Sequence, residues 1–293
     1  MPQISDEVRW YRLFRRRTEI EIVKIFKAYR EMGVEPILIK GWAAARNYRE
    51  SHPRFFGDID LAVPASDTEK CLARNRCQDL QPLSVDLHRE LRHLDTVPWD
   101  DLFARTEVVE ADGAGIRILS PEDHLRVLSA HWLNDGGQYK ERLWDIYYAV
   151  ENRPSDFDWK TCLESVSETR QNWVKTAIAI TKKYLNLQTR DLPFHDELVT
   201  YPRWIDKCLA SEWSSDLRLR PLDASLNDPR LFFKQMRKRL PPNPIEATIE
   251  SEALFDERSR LPFQMKSIAM RLRPSISRLL REARSKLWTR KNN

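Results

Sequence analysis

The sequence predicts an α+β protein, in which a mixed β-sheet with flanking helices is followed by a mainly helical C-terminal region. All seven glycines lie at or before Gly137, while ten of the seventeen prolines lie in residues 138–293. Short alternating apolar segments in the first part are typical of strands, whereas prolines divide the second part. We therefore divide the chain into a core with an N-terminal helix, residues 1–120, and a helical region that ends in a basic helix, residues 121–293.

The first predicted element is a helix from about Asp6 to Met32. Apolar residues recur along it at steps of three and four, the spacing of one helix face. They are Trp10, Leu13, Ile20, Val23, Phe26 and Tyr29. Gly33 is a typical C-terminal cap, and a short strand over residues 36–40 follows and ends at Gly41.

The rest of the core is predicted to alternate between helices and strands. The expected elements are a helix at 42–48, a strand at 58–63, a helix capped by Ser66 or Asp67 and reaching about Leu80, a strand at 83–91, and a hairpin of 107–110 with 116–119. Ser120 and Pro121 then begin a helix, because serine is a favoured N-cap and proline a favoured first helical residue. Another helix holds residues 142–149, and four to six more are expected after Asp158.

The composition is that of a soluble globular protein, with 41% hydrophobic and 32% charged residues. No stretch approaches the ~18 apolar residues that a transmembrane helix requires, and the N-terminus does not resemble a signal peptide. The four cysteines are scattered without a CxxC pair, which argues against a zinc site or a disulfide framework. We therefore expect a cytoplasmic protein without a transmembrane segment.

The pair Asp58 and Asp60 is the sharpest chemical feature of the sequence. Side chains at positions i and i+2 of a strand point to the same face, so the two carboxylates are expected side by side. Two such charges repel each other unless a cation lies between them. Oxygen ligands of this kind suit Mg²⁺, while Ile59 and Leu61 between and after them are expected in the core.

A third carboxylate, Asp86, follows one helix later in another alternating strand. Phosphoryl transfer with two metal ions about 3.5–4 Å apart requires such a third acid, and neighbouring strands could bring all three together. We therefore predict that Asp58, Asp60 and Asp86 are catalytic and hold two Mg²⁺ ions. His88 lies on the same face as Asp86 and is a candidate substrate contact, although a histidine on a strand is more often a surface or packed residue.

Upstream of these acids, the strand at 36–40 ends at Lys40-Gly41 and passes into a helix. Backbone N–H groups at such a turn can bind phosphate oxygens. Lys40 and Arg54 could neutralise a triphosphate. The alternative for Lys40 is a solvated strand end.

A series of motifs thus runs through the first half of the chain: Lys40-Gly41, Arg54, Gly57-Asp58-Ile59-Asp60-Leu61, Val85-Asp86-Leu87-His88, a helix with His131, and Arg142-Leu143-Trp144-Asp145. Over roughly residues 20–150 this series resembles the uncharacterised bacterial nucleotidyltransferase family, a branch of the polymerase-beta-like nucleotidyltransferase superfamily. The resemblance implies a nucleotidyltransferase core, Mg²⁺ dependence, and transfer of a nucleoside monophosphate from an NTP to the hydroxyl group of an unidentified acceptor. We also assign Gly57 to the nucleotide-binding residues. The superfamily usually has glycine or serine after the glycine at position 41, where this chain has Trp42.

Arg142 and Asp145 are candidates for contact with the nucleotide or the acceptor, with Asp145 as a possible general base. The two residues are one helical turn apart, so the alternative is an ion pair between them.

The last segment of the chain is strongly basic. From Lys266 onward it carries nine lysines and arginines and a single acid, Glu282. Such a segment can attract RNA, an acidic partner or an anionic membrane surface. The alternative function is therefore a catalytically weak nucleotidyltransferase-fold protein that binds one of these partners through its basic C-terminal helix. The acceptor of an active enzyme could be a small molecule, a peptide or protein, or RNA, and a toxin role stays open beside a biosynthetic one.

Overall fold

A computed structural model describes residues 6–81, 83–215, 217 and 228–271. Its helices are α1 (Asp6–Arg30), α2 (Trp42–Ala45), α3 (Thr68–Asn75), α4 (Trp99–Arg105), α5 (Pro121–Asn134), α6 (Leu143–Glu151), α7 (Trp159–Glu164), α8 (Glu168–Leu185), α9 (Arg203–Trp213), α10 (Pro229–Arg239) and α11 (Pro244–Glu250). Residues 261–271 are also helical. The strands are β1 (Ile37–Leu38), β2 (Ile59–Val63), β3 (Val85–Arg89), β4 (Glu107–Ala111) and β5 (Ala114–Ile118). The residues after Arg271, and most of the predicted basic helix with them, lie outside the described part of the chain.

The five strands form one mixed sheet in the order β3-β2-β1-β5-β4. β2 pairs with β3 and β1 with β5 in parallel, whereas β1 with β2 and β4 with β5 are antiparallel. The predicted α+β fold class, with a mixed sheet, flanking helices and a helical C-terminal region, is confirmed.

Two apolar clusters lie on the sheet, and alternation along the strands decides which residue joins which cluster. The first contains Ile59, Leu61 and Val63 of β2 together with the apolar face of α1. The second contains Ile37 of β1 and Ala62 of β2, packed with residues of the α4 and α5 segments. Residues of β2 with the parity of Ala62, including Asp60, therefore point away from the first cluster.

Helix α1 ends three residues after Lys27 and close to the predicted end, because Gly33 adopts φ 77° and so stops the helix. Helix α3 is shorter than predicted. It ends at Asn75 rather than near Leu80, and Asp67, its N-cap residue, makes no capping hydrogen bond through its side chain. Residues 76–81 form turns instead.

Helix α4 has no counterpart in the prediction. Its signals are present in the sequence: Pro98 precedes it, Asp100 and Asp101 lie in its first turn, and Arg105 lies in its last turn. Seven residues are too few for a clear apolar repeat. The helix nevertheless contributes Leu102 to the second apolar cluster.

The β4–β5 hairpin and the start of α5 follow local sequence rules. Asp112 and Gly113 connect the two strands, both with positive φ, as an Asp-Gly turn between twisted strands requires. The Ser120 hydroxyl accepts a hydrogen bond from Asp123 N at 3.3 Å, and Pro121 is the first residue of α5. The predicted cap is thus confirmed.

The described fold divides into two compact units, Met1–His131 with Arg142–His195, and Trp132–Glu141 with Asp196–Asn293. The first unit holds the sheet. The domain boundary predicted at residue 120 stays a prediction.

In the second unit, the Gly136-Gly137 turn is fixed by side chains of later residues. Asn243 donates to Gly136 O at 3.1 Å and Trp213 to Gly137 O at 2.8 Å. Gly137 has φ 68°, and a Cβ on it would lie 2.2 Å from the Leu209 side chain, so glycine is required there. Among the described residues, no helix has the length and apolar character needed to cross a membrane.

Candidate functional site

Two neighbouring parallel strands bring the predicted acids Asp60 and Asp86 together. β2 and β3 pair in register, so that Asp60 lies directly opposite Asp86. Residues opposite each other in a sheet point to the same face. Because Ile59 and Leu61 belong to the first apolar cluster, both acids point to the other face.

His88 lies between the two carboxylates. Its Nε2 is 3.2 Å from Asp86 Oδ2 and 3.5 Å from Asp60 Oδ1. One ligand atom from each of the three residues lies within 4.8 Å of the others. Asp60, Asp86 and His88 are called the acid cluster below. Arg92 Nη2 lies farther out, 3.9 Å from Asp86 Oδ1, and was not among the predicted residues.

Lys40 is buried at the edge of the acid cluster, with Nζ 2.8 Å from Asp60 Oδ1. The alternative of a solvated strand end is therefore wrong for this residue. Gly41 follows with φ 60° and ψ −109°, and a Cβ there would lie 3.3 Å from Asp58 O, so the turn requires glycine. The unusual Trp42 is buried, and its indole N–H donates to Glu19 Oε1 at 3.1 Å. Trp42 therefore fastens the turn to α1.

The three members of the acid cluster influence one another's protonation. Burial would raise the pKa of Asp60, but the adjacent His88 and Lys40 outweigh it and lower that pKa to about 2. The His88 imidazole likewise lowers the pKa of Asp86, against the effect of burial. Burial would lower the pKa of His88, yet the two carboxylates raise it. Both acids are consequently ionised at neutral pH.

Asp58 occupies a different environment from Asp60. It is exposed, lies one residue before β2, and is not among the three residues whose ligand atoms converge. Partial desolvation and the charges of Asp60 and Asp86 raise the pKa of Asp58, which shows that its carboxylate senses the acid cluster. Gly57 beside it is exposed. An opening of about 260 Å³ adjoins these residues and helix α1.

Arg54 and Asp145 form a buried ion pair in the first unit. Arg54 Nε and Nη2 donate to the two carboxylate oxygens of Asp145 at 2.5 and 2.8 Å, and the Tyr48 hydroxyl donates to Oδ1 at 2.6 Å. Burial would lower the pKa of Arg54, but the charge of Asp145 raises it, and Asp60 adds to this effect. Arg54 is therefore held by Asp145 within electrostatic range of Asp60. Arg142 immediately precedes α6 and is partly exposed.

Helix α5 contributes a residue that the site prediction did not include. His131 is partly buried, and desolvation lowers its pKa well below the ordinary value, with the charges of Lys40 and Arg142 acting in the same direction. A sequence signal existed, because a helix with His131 belongs to the series of motifs. Its spacing of seven from His124 suited no metal site, which is why only the fold could place it near Lys40.

The donor set of the acid cluster fits a divalent cation. The two carboxylates suit Mg²⁺, and the imidazole suits softer divalent metals. His88 Nδ1 is buried yet makes no hydrogen bond within the described residues. Asp60 Oδ1 and His88 Nε2 contact charged neighbours instead, Lys40 Nζ at 2.8 Å and Asp86 Oδ2 at 3.2 Å respectively. Buried polar atoms are normally satisfied, so this cluster has ligand capacity that the protein itself leaves unused.

Comparison with known proteins gives one match. The family model described as "Uncharacterised nucleotidyltransferase" matches residues 3–76 and 73–185. No curated protein and no solved structure gives a significant match. The matched stretches cover more than half of the chain, including every residue of the acid cluster, and the chain therefore belongs to the uncharacterised nucleotidyltransferase family.

Proposed function

We propose that this member of the uncharacterised nucleotidyltransferase family transfers a nucleoside monophosphate from an NTP to a hydroxyl acceptor. In the reaction, the acceptor oxygen forms a bond to the α-phosphorus as the bond from that phosphorus to the bridging oxygen of the β-phosphate breaks. Pyrophosphate leaves, and the hydroxyl proton passes to solvent. The in-line geometry is the one that phosphoryl-transfer enzymes share.

Asp58, Asp60 and Asp86 are the residues proposed to hold two Mg²⁺ ions. When bound, such ions neutralise phosphate charge and make the acceptor hydroxyl more acidic. His88 is a positioning residue in this proposal. It lies within 3.5 Å of both Asp60 and Asp86, and it keeps the two carboxylates ionised and close together.

Lys40, Gly41, Arg54 and Gly57 are proposed to bind the phosphates. Lys40 supplies a buried positive charge beside Asp60, and the Gly41 turn presents backbone N–H groups. Asp145 holds Arg54 in a fixed orientation. We therefore keep Asp145 among the proposed substrate-binding residues, as the residue that positions Arg54. Arg142, at the start of α6, completes the proposed set.

The observation that carries this proposal is the in-register pairing of Asp60 with Asp86, which brings both carboxylates together with His88, whose buried Nδ1 has no hydrogen-bond partner among the described residues. A purely structural ion cluster would be expected to saturate its hydrogen bonds. The family match to residues 3–185 supports the same reaction class.

The test is release of pyrophosphate from each NTP with Mg²⁺, over a series of hydroxyl acceptors. We expect Asp60→Asn to reduce the rate on the order of a hundredfold or more, because the variant loses a charged metal ligand. Asp156→Asn is the matched control, since Asp156 is exposed and far along the chain from the acid cluster. Equal rates for the wild-type protein and Asp60→Asn would refute the proposed reaction.

A further inference from the structure

An aromatic cluster lies beside Arg54 and Asp145 in the first unit. Its members are Tyr48, His52, Trp144, Tyr147 and Tyr148, and we call it the aromatic platform. Trp144 is central: the ring centroids of His52, Tyr147 and Tyr148 lie 4.5, 4.9 and 5.6 Å from that of Trp144. The first two rings are edge-on to it, and the third is nearly parallel, at 28°.

The aromatic platform combines a buried anchor with partly exposed side chains. Tyr148 is buried, and its hydroxyl lies 3.1 Å from His52 Nδ1. His52, Trp144 and Tyr147 are partly exposed. In the part of the chain that the structure describes, the Trp144 indole N–H, the Tyr147 hydroxyl and His52 Nε2 have no hydrogen-bond partner. Because the three side chains are partly exposed, water can satisfy these groups in the free protein and a ligand can replace that water.

Direct contacts join the aromatic platform to the proposed phosphate site. The Tyr48 hydroxyl and the Arg54 guanidinium donate to the same carboxylate, that of Asp145, and Asp145 follows Trp144 in the chain. In a nucleotide, a single sugar separates the base from the α-phosphate. A base whose phosphates lie at Arg54 must therefore lie near this group of residues.

We infer that the aromatic platform binds the nucleobase of the NTP, with Trp144 as the principal stacking residue. The inference rests on the proposed function, whose phosphate site it extends. Every base offers a flat π-face to an aromatic ring, together with edge atoms that accept or donate hydrogen bonds. The Trp144 indole N–H, the Tyr147 hydroxyl and His52 Nε2 have no protein partner within the described residues and can hydrogen-bond such edge atoms. Helix α6 would then contact the base through Trp144 and Tyr147, and position Arg54 through Asp145.

The test compares the affinity of the protein for nucleotides with its affinity for a phosphate chain that carries no base. Calorimetric titrations with Mg²⁺ use the α,β-methylene analogues of ATP, GTP, CTP and UTP, and inorganic tripolyphosphate as the base-free probe. We expect Trp144→Leu to weaken nucleotide binding roughly ten- to a hundredfold and to leave tripolyphosphate binding unchanged. Trp144→Phe, which keeps a stacking face, should restore much of the affinity. Trp10→Leu is the control, because Trp10 is 70% exposed on α1.

Two results would overturn the inference while leaving the proposed function in place. One is a wild-type protein that binds tripolyphosphate as tightly as every nucleotide analogue. The other is a Trp144→Leu variant that binds the nucleotides as tightly as the wild-type protein, or that loses both probes equally. Should Trp144→Leu not fold, His52→Ala takes its place with the same expectations. Wild-type protein that binds neither probe contradicts the proposed function itself.

Discussion

Two groups of buried charges lie in the same unit and differ in how completely they are hydrogen-bonded. In the first, Arg126 donates from Nε to Asp95 Oδ2 at 2.9 Å and also to Asp123. Arg105 contacts the same Asp123 at 2.8 Å, and backbone N–H groups satisfy Asp95. We call these four residues the arginine network. In the acid cluster, by contrast, the buried Nδ1 of His88 makes no hydrogen bond within the described residues, and Asp60 Oδ1 is held by the charges of Lys40 and His88, at 2.8 and 3.5 Å.

The difference separates a structural ion network from a candidate binding site. Charges removed from water are stable only when partners replace the lost hydration. The arginine network supplies all its partners from the protein. The acid cluster leaves His88 Nδ1 without a partner among the described residues and the Asp86 side chain 47% exposed, so a cation can still contribute free energy there. Burial and charge by themselves would not distinguish the two groups.

The largest expected effect on stability is in the arginine network. Arg126→Met leaves the buried Asp95 without its arginine and the buried Asp123 with Arg105 alone, and we expect the unfolding free energy to fall by about 3–5 kcal/mol. The measurement is urea denaturation. Arg17→Met is the control, because Arg17 is a largely exposed residue whose ion pair with Glu21 lies on the surface of α1. That control should change stability by no more than about 0.5 kcal/mol.

Asp60→Asn sharpens the contrast. The pKa of about 2 implies that the carboxylate stabilises the fold above its unfolded pKa of 3.8, and that this contribution is lost as pH falls toward 2. The difference corresponds to roughly 2 kcal/mol at neutral pH. If Asp60→Asn lowers the unfolding free energy more than Arg126→Met does, the acid cluster is mainly structural, and the proposed difference between the two groups of charges is wrong.

His124 on α5 should produce a pH-dependent effect similar in size to that at Asp60. The residue is buried, and burial lowers its pKa to about 4 from 6.5. The unfolded chain therefore binds a proton that the folded chain refuses, so stability falls as pH drops from about 6.5 to 4, by roughly 3 kcal/mol in all. His124→Leu should remove this part of the pH dependence. Identical pH profiles of unfolding free energy for the variant and the wild-type protein would show that His124 does not act in this way.

The smallest expected effect concerns the pair Arg54 and Asp145, which is saturated like the arginine network but lies next to the proposed site. Lysine cannot reproduce the two parallel hydrogen bonds of the guanidinium. We expect Arg54→Lys to lower stability by about 1–2 kcal/mol and also to raise the KM for the NTP. Lys24→Arg, on α1, is a conservative control. Lower stability with an unchanged KM would place the pair among the structural networks instead.

Local sequence patterns were enough to predict the position of several residues in the fold. The alternation of Asp60 with Ile59 and Leu61 was enough to place that carboxylate on the face opposite the first apolar cluster. The same alternation places Asp86 on a strand, and a single helix between two strands favours parallel pairing of those strands. The sequence therefore predicted that Asp86 lies near Asp60. Ser120 and Gly33 likewise fixed helix ends by their own side chain or backbone freedom.

Contacts between distant residues could not be predicted in this way. Periodicity gives the face on which a residue lies but not its partner. Asp145 was paired in the sequence interpretation with the substrate or with Arg142, and its observed partners Arg54 and Tyr48 are more than ninety residues away. Asp58 shares the parity of Asp60 but precedes the strand, so the rule that places Asp60 does not hold for it. The roles of Asp58, Arg142 and Asp145 stay predictions.

Binding of a divalent cation tests the central claim most directly. Mn²⁺ can replace Mg²⁺ as a paramagnetic probe, and its electron paramagnetic resonance signal reports the free ion during a titration with an NTP analogue present. We predict that the wild-type protein binds Mn²⁺, that Mg²⁺ competes for the site, and that the Asp60→Asn Asp86→Asn double variant loses binding while Asp156→Asn keeps it. Unchanged Mn²⁺ binding in the double variant would contradict the assignment of these carboxylates.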